Sequence, residues 1–344
     1  MKIFCLSLIF GRILAVTAVF SASLFCSKLP SIPACTDSNP DICRNEARMF
    51  IGRLLFYDTA LSINDKVSCA SCHSQKLSFT DGIGLSTAGV TGVPLKRHSP
   101  ALLNLQSVNK GLFWDGGAKN LRSLVFAPIT NKDEMGLSLG LLVKKVEDRG
   151  YKKLFEKAFS DGEVSIANIA LSMESFLLTM VSFNSKYDRV IRGEEKFSEQ
   201  EKKGYAIFQK NCSSCHPEPD FSDHSFYNVG LDEKIIKDIE KEPDLMNLGR
   251  ERISFSEKDR GKFKTPTLRN IALTAPYMHD GRFRTLVEVI EHFSSGVKKS
   301  PWTDKELLNP ANRLNEEQKK ELISFLETLT DREITEDRRL SSPF

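Results

Sequence analysis

Two pentapeptides carry the chemistry most plainly: Cys-Ala-Ser-Cys-His at 69–73 and Cys-Ser-Ser-Cys-His at 212–216. In each, a pair of thiols is followed at once by an imidazole. Covalent attachment of haem needs that geometry, because the thiols add across the porphyrin vinyl groups and the adjacent His ligates the iron from the proximal side. Cys69, Cys72, His73, Cys212, Cys215 and His216 are therefore expected to hold two haem c groups. Zinc is the main rival, but the two CxxC pairs stand much farther apart than a zinc ribbon requires. A thioredoxin-like redox pair would follow a strand, and none is legible before either motif.

The elements that position these motifs read as helices. Ala47, Phe50, Ile51, Leu54 and Leu55 recur at helical spacing from Asn45 until Tyr57-Asp58, and CASCH follows after a short loop. Ser198 with Glu201 forms a capping box opening a helix through Gly204, Tyr205 and Phe208, and CSSCH follows almost at once. The same order occurs twice, a weak internal repeat of one cytochrome unit. Ile166 to Val181 is apolar on one face, and Glu316 to Leu329 carries a stripe of Leu322, Phe325, Leu326 and Leu329. No alternating strand pattern of any length is visible. The expected fold class is mainly α, with two cytochrome c-like domains at 46–190 and 195–335, each with one covalently bound haem c. A charged junction lies at 185–196 and a tail at 336–344.

A chain of 344 residues can bury two cores. Its 48 basic and 45 acidic residues are interleaved and leave a net charge of only +3, which argues against a nucleic-acid partner. Lys2 and Arg12 precede an apolar run, Ile13 to Phe25, that breaks at Cys26, Ser27, Lys28 and Pro30. The run is short for a membrane span, so residues 1–26 read as a signal peptide directing export to the periplasm, followed by a polar linker at 27–45. Cys26 stands where a lipoprotein cysteine would, although Phe25 before it is bulky; a lipid anchor there would tether the exported protein to the membrane. Cys35 and Cys43, in CTDSNPDIC, are either one local disulfide or two loop thiols.

Longer blocks surround the motifs: LLFYDTALSINDKVSCASCHSQKLSFTDG, KRHSPALLN, LFWDGGAKNLRSLVFAPITNKDEMG and FKTPTLRNIALTAPYMHDGRFRTLVEVIEHF. From about Ala47 to Leu329 the chain resembles the bacterial dihaem cytochrome c peroxidase family, which includes the MauG-like enzymes. The resemblance implies that Trp114 lies between the haems and that Glu134 is the distal carboxylate above the iron held by His73. It also implies that hydrogen peroxide is reduced to water with electrons from a small cytochrome c or cupredoxin. The MauG-like alternative is oxidation of aromatic side chains in a partner protein. A non-enzymatic dihaem electron carrier is the third reading, and it would close both irons. Arg97, Arg269 and Arg282 are candidates to pair with haem propionates.

Three departures from the family bear on mechanism. Some members carry a second His on the loop after the first haem, which blocks the iron until the other haem is reduced; the corresponding stretch here, LSTAGVTGVPLK, has none. The first iron is then expected to be open without prior reduction. His98 occupies the RHSP position where the family has an Asn that helps bind calcium, leaving the Thr274 and Pro276 carbonyls as the remaining ligands for a doubtful calcium. Phe293 stands where the family places a Met or Tyr ligand to the second iron. That iron is expected to be five-coordinate, bound to water, or ligated by Met278, His279 or His292, and loss of a Met ligand should lower its potential.

Overall fold

The computed structural model describes residues 29–232 and 247–344, so the stretch read as a signal peptide and Cys26 lie outside it. The first unit is built on the helices Pro40–Tyr57, Leu139–Asp148, Lys152–Ala158 and Ile166–Leu177. The first of these begins inside the stretch read as a linker. Asn39 accepts a hydrogen bond from the Asp41 amide and Pro40 takes the first helical position, a start signal upstream of the apolar spacing. Cys35 and Cys43 form a disulfide that ties the approach to this helix. The second unit rests on Glu199–Asn211, Leu286–Glu291 and Glu316–Glu327. A short antiparallel pair joins Phe226–Tyr227 to Phe263–Lys264, and two residues are too few to show alternation.

The internal repeat is much closer than the helix order suggested. In the first unit the Pro40–Tyr57 helix crosses Ile166–Leu177 at Gly52, where a Cβ would come within 2.0 Å of the Ser172 carbonyl oxygen. In the second, Glu199–Asn211 crosses Glu316–Glu327 at Gly204, where a Cβ would lie 1.9 Å from the Glu321 carbonyl oxygen. Four residues on from each contact position, aromatic rings meet across the same crossing: Phe56 with Phe176 at 5.5 Å and Phe208 with Phe325 at 5.1 Å. A third ring from the haem-motif loop completes each set, Phe79 at 6.1 Å from Phe56 and Phe221 at 5.5 Å from Phe208. All six rings are buried, and full burial of one such side chain contributes about 1.5–3 kcal/mol.

Neither boundary segment is a spacer. Tyr187, on the helix Lys186–Ile191, packs into the second core beside Phe221 at 4.9 Å. Asp188 on the same helix receives both terminal nitrogens of the fully buried Arg269, at 2.9 and 3.0 Å. Burial pushes the Asp188 carboxyl up, but the Arg269 and Ser185 hydrogen bonds prevail and hold it below its ordinary value. At the other end, Ile334 and Leu340 are buried in the first core, not the second. Tyr57 donates to the Leu340 carbonyl, Arg53 to those of Arg338 and Ser341, and Gln75 to those of Ile334 and Asp337. The stretch read as a tail at 336–344 is thus a strap over the first unit. No helix among the described residues is long and apolar enough to cross a membrane.

Gly52→Ala and Gly204→Ala should each destabilise the protein by about 3 kcal/mol, because the added methyl meets helix backbone that cannot yield. Gly140→Ala, in a helix with open space around its Cβ position, should be neutral or stabilising. Thermal unfolding of the three variants checks this, and equal melting temperatures for all three would contradict it.

Candidate dihaem site

Both pentapeptides open into one cavity of about 1210 Å³. Cys69, Cys72 and His73 line it from one unit and Cys212, Cys215 and His216 from the other. Burial pushes the Cys69 and Cys212 thiols up to about 12, with the second thiol of each pair adding to the effect, as befits neutral groups in an apolar crevice. Two imidazoles, four thiols and an apolar wall are the donor set and cradle that two covalently attached haems require, so the residues fit the groups.

Each proximal imidazole is oriented identically. His73 Nδ1 lies 2.8 Å from the Phe79 carbonyl and His216 Nδ1 lies 2.8 Å from the Phe221 carbonyl. A carbonyl only accepts, so Nδ1 carries the proton and the Nε2 lone pair is left for iron. Burial holds both imidazoles below their ordinary pKa, which keeps that lone pair unprotonated at neutral pH. Phe79 and Phe221 reach this position because both adopt positive φ, 62° and 52°. These carbonyls were not singled out from the sequence. Aligning LSFTDG with PDFSDH, as the two copies of one loop, is the signal that finds them.

The seam between the units repeats the same logic. The His98 amide donates to the His279 carbonyl at 2.9 Å, and the Lys264 amide donates to the Trp114 carbonyl at 2.7 Å. His98-Ser-Pro and Lys264-Thr-Pro are equivalent segments, as are LFWDG and YMHDG. Phe113 and Met278 share positive φ (65° and 73°), as do Gly116 and Gly281 (75° and 65°). Trp114 and His279 are therefore counterparts, each clasped by the opposite unit. Trp114 additionally donates its indole N–H to the His98 carbonyl at 2.7 Å, and it lines the cavity that both attachment sites share. His279 lies flat on Phe263 with ring centroids 3.6 Å apart, and burial lowers its pKa to about 3.

That arrangement sorts the groups considered as ligands to the second iron. Phe293 and Met278 line the cavity. His279 lines it too, but its ring is stacked on Phe263 at the seam. His292 is buried away from the cavity wall, with Nε2 donating to the Val229 carbonyl at 2.8 Å.

Glu134 lines the cavity on the side of the first attachment site, near enough to Cys69 and Cys72 for its charge to raise both thiols. Asn131 donates to Glu134 Oε1 at 2.6 Å. Burial pushes the carboxyl pKa up, the Asn131 bond opposes this, and nearby Asp133 adds to the rise. The loop without a second His packs directly behind it. Val90 donates its amide to the Glu134 carbonyl at 2.8 Å, and at Gly89 a Cβ would fall 1.9 Å from the Asp133 carbonyl oxygen. Asn131 and Gly89 are the functional neighbours that the sequence reading missed.

The three arginines are not equivalent. Arg269 is committed to Asp188 and to the Pro219 carbonyl and is removed from the propionate candidates. Arg282 pairs with Asp280 and Asp232. Arg97 lays its guanidinium over the Phe263 ring at 4.9 Å. For calcium, His98 turns Nδ1 to the Ile83 carbonyl at 2.9 Å, and an imidazole is a poor ligand for a hard cation. The residues at this position do not fit a calcium site.

The duplicated fold and paired haem-attachment sites define a dihaem c-type oxidoreductase. Residues 46–196 match the di-haem cytochrome c peroxidase family and residues 201–330 the cytochrome c family. The chain is 33% identical to the methylamine utilization protein MauG of Methylorubrum extorquens, over 82% of this chain and 78% of that one. It is 32% identical to the cytochrome c551 peroxidase of Nitrosomonas europaea, over 94% and 90%. A solved MauG-like protein associated with microbial copper homeostasis superposes with a TM-score of 0.78 at 31% identity, covering 92% of this chain and 99% of that one. The chain belongs to the di-haem cytochrome c peroxidase family, MauG proteins included, and carries two covalently bound haem c groups.

Two haems per chain should survive acid–organic extraction of the purified protein. Replacing Cys69 and Cys72 with Ala should leave one, still spectrally that of the second unit; retention of both would contradict the attachment assigned here. Phe293→Met or Phe293→Tyr should move the second ferric haem to a six-coordinate low-spin form, read by its optical and magnetic spectra. An unchanged spectrum would mean that another ligand already holds that position.

Proposed function

We propose that this protein reduces hydrogen peroxide to water at the iron held by His73, drawing electrons from a small periplasmic cytochrome c or cupredoxin. The balance is one peroxide, two electrons and two protons to two waters. The observation that carries the reading is Glu134: a carboxyl raised by burial, fixed by Asn131, lining the same cavity as His73. When bound, the haem supplies the electron chemistry at the peroxide oxygen. Glu134 takes a proton from one peroxide oxygen and delivers it to the other, so that the leaving group departs as water. Its raised pKa brings it nearer the operating pH, where acceptance and donation are both accessible. Asn131 keeps Oε1 aimed, and the Gly89–Val90 backbone stops the Glu134 loop from retreating.

Trp114 fits as the relay to the second site. Its indole is anchored to one unit through the His98 carbonyl and its backbone to the other through Lys264, so the ring is held from both sides. Export to the periplasm is part of the proposal, and the Cys35–Cys43 disulfide supports an oxidising compartment. The missing loop His and the MauG relatives favour a second reading, in which the reductant is an aromatic side chain of a partner protein. Steady peroxide-driven oxidation of a reduced small cytochrome would support the first reading, and its absence the second.

Glu134→Gln keeps the shape and the Asn131 contact but removes the titratable proton. The reaction with peroxide, followed by stopped-flow absorbance, should slow by about 10²–10⁴-fold while haem content stays at two per chain. An unchanged rate would make Glu134 a bystander.

A further inference from the structure

We propose that Tyr227, hydrogen-bonded to Asp223 beside the second haem-attachment cysteine, is a redox-active relay that gives up an electron to the oxidised second site and its proton to Asp223. The proposal rests on the peroxide-reducing reading and extends it to the side of the molecule where Phe293 has replaced a ligating residue.

The repeat supplies an internal comparison. Asp81 and Asp223 are equivalent, each two residues after the Phe whose carbonyl holds the proximal His. Asp81 accepts from the Ile83 amide and Asp223 from the Ser225 amide, at 3.0 and 2.9 Å. The residue that reaches the second cysteine of each motif differs. In the first unit it is Ser86, with Oγ 3.6 Å from Cys72 Sγ. In the second it is Tyr227, whose phenol lies close enough to Cys215 for the two groups to perturb one another and donates to Asp223 Oδ2 at 2.8 Å. An aliphatic hydroxyl cannot be oxidised at these potentials; a phenol can, provided its proton has somewhere to go.

The environment provides that destination. Burial pushes Asp223 up, but the bonds from the Ser225 amide and the Tyr227 phenol prevail and hold the carboxyl below its ordinary value, so it stands ionised as an acceptor. Burial and the Asp223 bond push the phenol above its ordinary pKa, so oxidation must release a proton. Two other tyrosines donate to carboxylates, Tyr151 to Asp58 and Tyr205 to Glu218, but neither lines the cavity. Tyr277 does line it, but donates to the Ile271 carbonyl, which cannot take a proton. Tyr227 combines a place on the cavity with a proton acceptor. The step balances: the O–H bond breaks, the proton joins the Asp223 carboxylate, the electron reduces the second site by one equivalent, and a phenoxyl radical remains until the external donor returns an electron and Asp223 the proton.

The test uses the dihaem protein, mixed with peroxide, freeze-quenched and examined by electron paramagnetic resonance, with optical spectra of the haems recorded in parallel. The wild type should give a tyrosyl radical signal that is lost in Tyr227→Phe, while the initial optical change with peroxide keeps its rate. Asp223→Asn should retain both haems and slow radical formation by about 10²-fold. A radical that survives Tyr227→Phe, or is lost only in Tyr277→Phe, overturns the assignment, as does optical oxidation of the haems without any tyrosyl signal. No optical response to peroxide at all would instead remove the oxidant and overturn the parent reading together with this one.

Discussion

Two backbone hydrogen bonds decide what this molecule can be. His98 N–H to His279 C=O and Lys264 N–H to Trp114 C=O are reciprocal, and each passes from one cytochrome unit to the other. Because the groups are main-chain, the contact fixes register and orientation, which side chains alone would leave loose. Both attachment motifs then face one cavity, which Trp114 also lines. Were the units rotated about this seam, each would still bury its own aromatic cluster, but the two haem sites would no longer share a wall. Asn104 and Asn270, counterparts at positive φ, extend the seam through Ser182 and Asp331 in a buried polar network whose members satisfy one another.

The duplication explains how a symmetric frame serves unequal sites. Helix crossing, His-orienting carbonyl and seam clasp are shared, because each answers a demand both haems make. The differences lie where chemistry is specialised. Glu134 returns to the cavity after one capped helix and Phe293 after the other. Ser86 touches the cysteine sulfur in one unit, and in the other Tyr227 lines the cavity and donates to Asp223. Under the proposed mechanism, one site moves protons to a bound oxidant and the other holds and passes electrons.

The haem cysteines and proximal histidines were legible in the sequence because local motifs encode them, while Trp114 and Glu134, which line the same cavity, were singled out only through the family resemblance. The two-unit helical fold was legible through the order of helix and CxxCH. Segment membership was not: the helix at Lys186–Ile191 looks like a charged linker until Tyr187 and Asp188 find partners far along the chain. The C-terminal strap likewise depends on backbone carbonyls, which have no sequence signature. Arg269 read from the sequence as a propionate candidate, and only the fold brings it to Asp188, far away in the chain. Gly89 and Asn131 escaped because their role is to brace Glu134, and bracing is a property of neighbours in space.

The central claim is that a carboxylate-equipped first site meets peroxide without prior reduction, since Leu85–Lys96 brings no imidazole to it and packs instead behind Glu134. Electron paramagnetic resonance of the fully ferric protein, before and after peroxide, tests this most directly. The account predicts a high-spin ferric signal as isolated that disappears on adding peroxide with no reductant present. A wholly low-spin spectrum, inert to peroxide until one haem has been reduced, would contradict it.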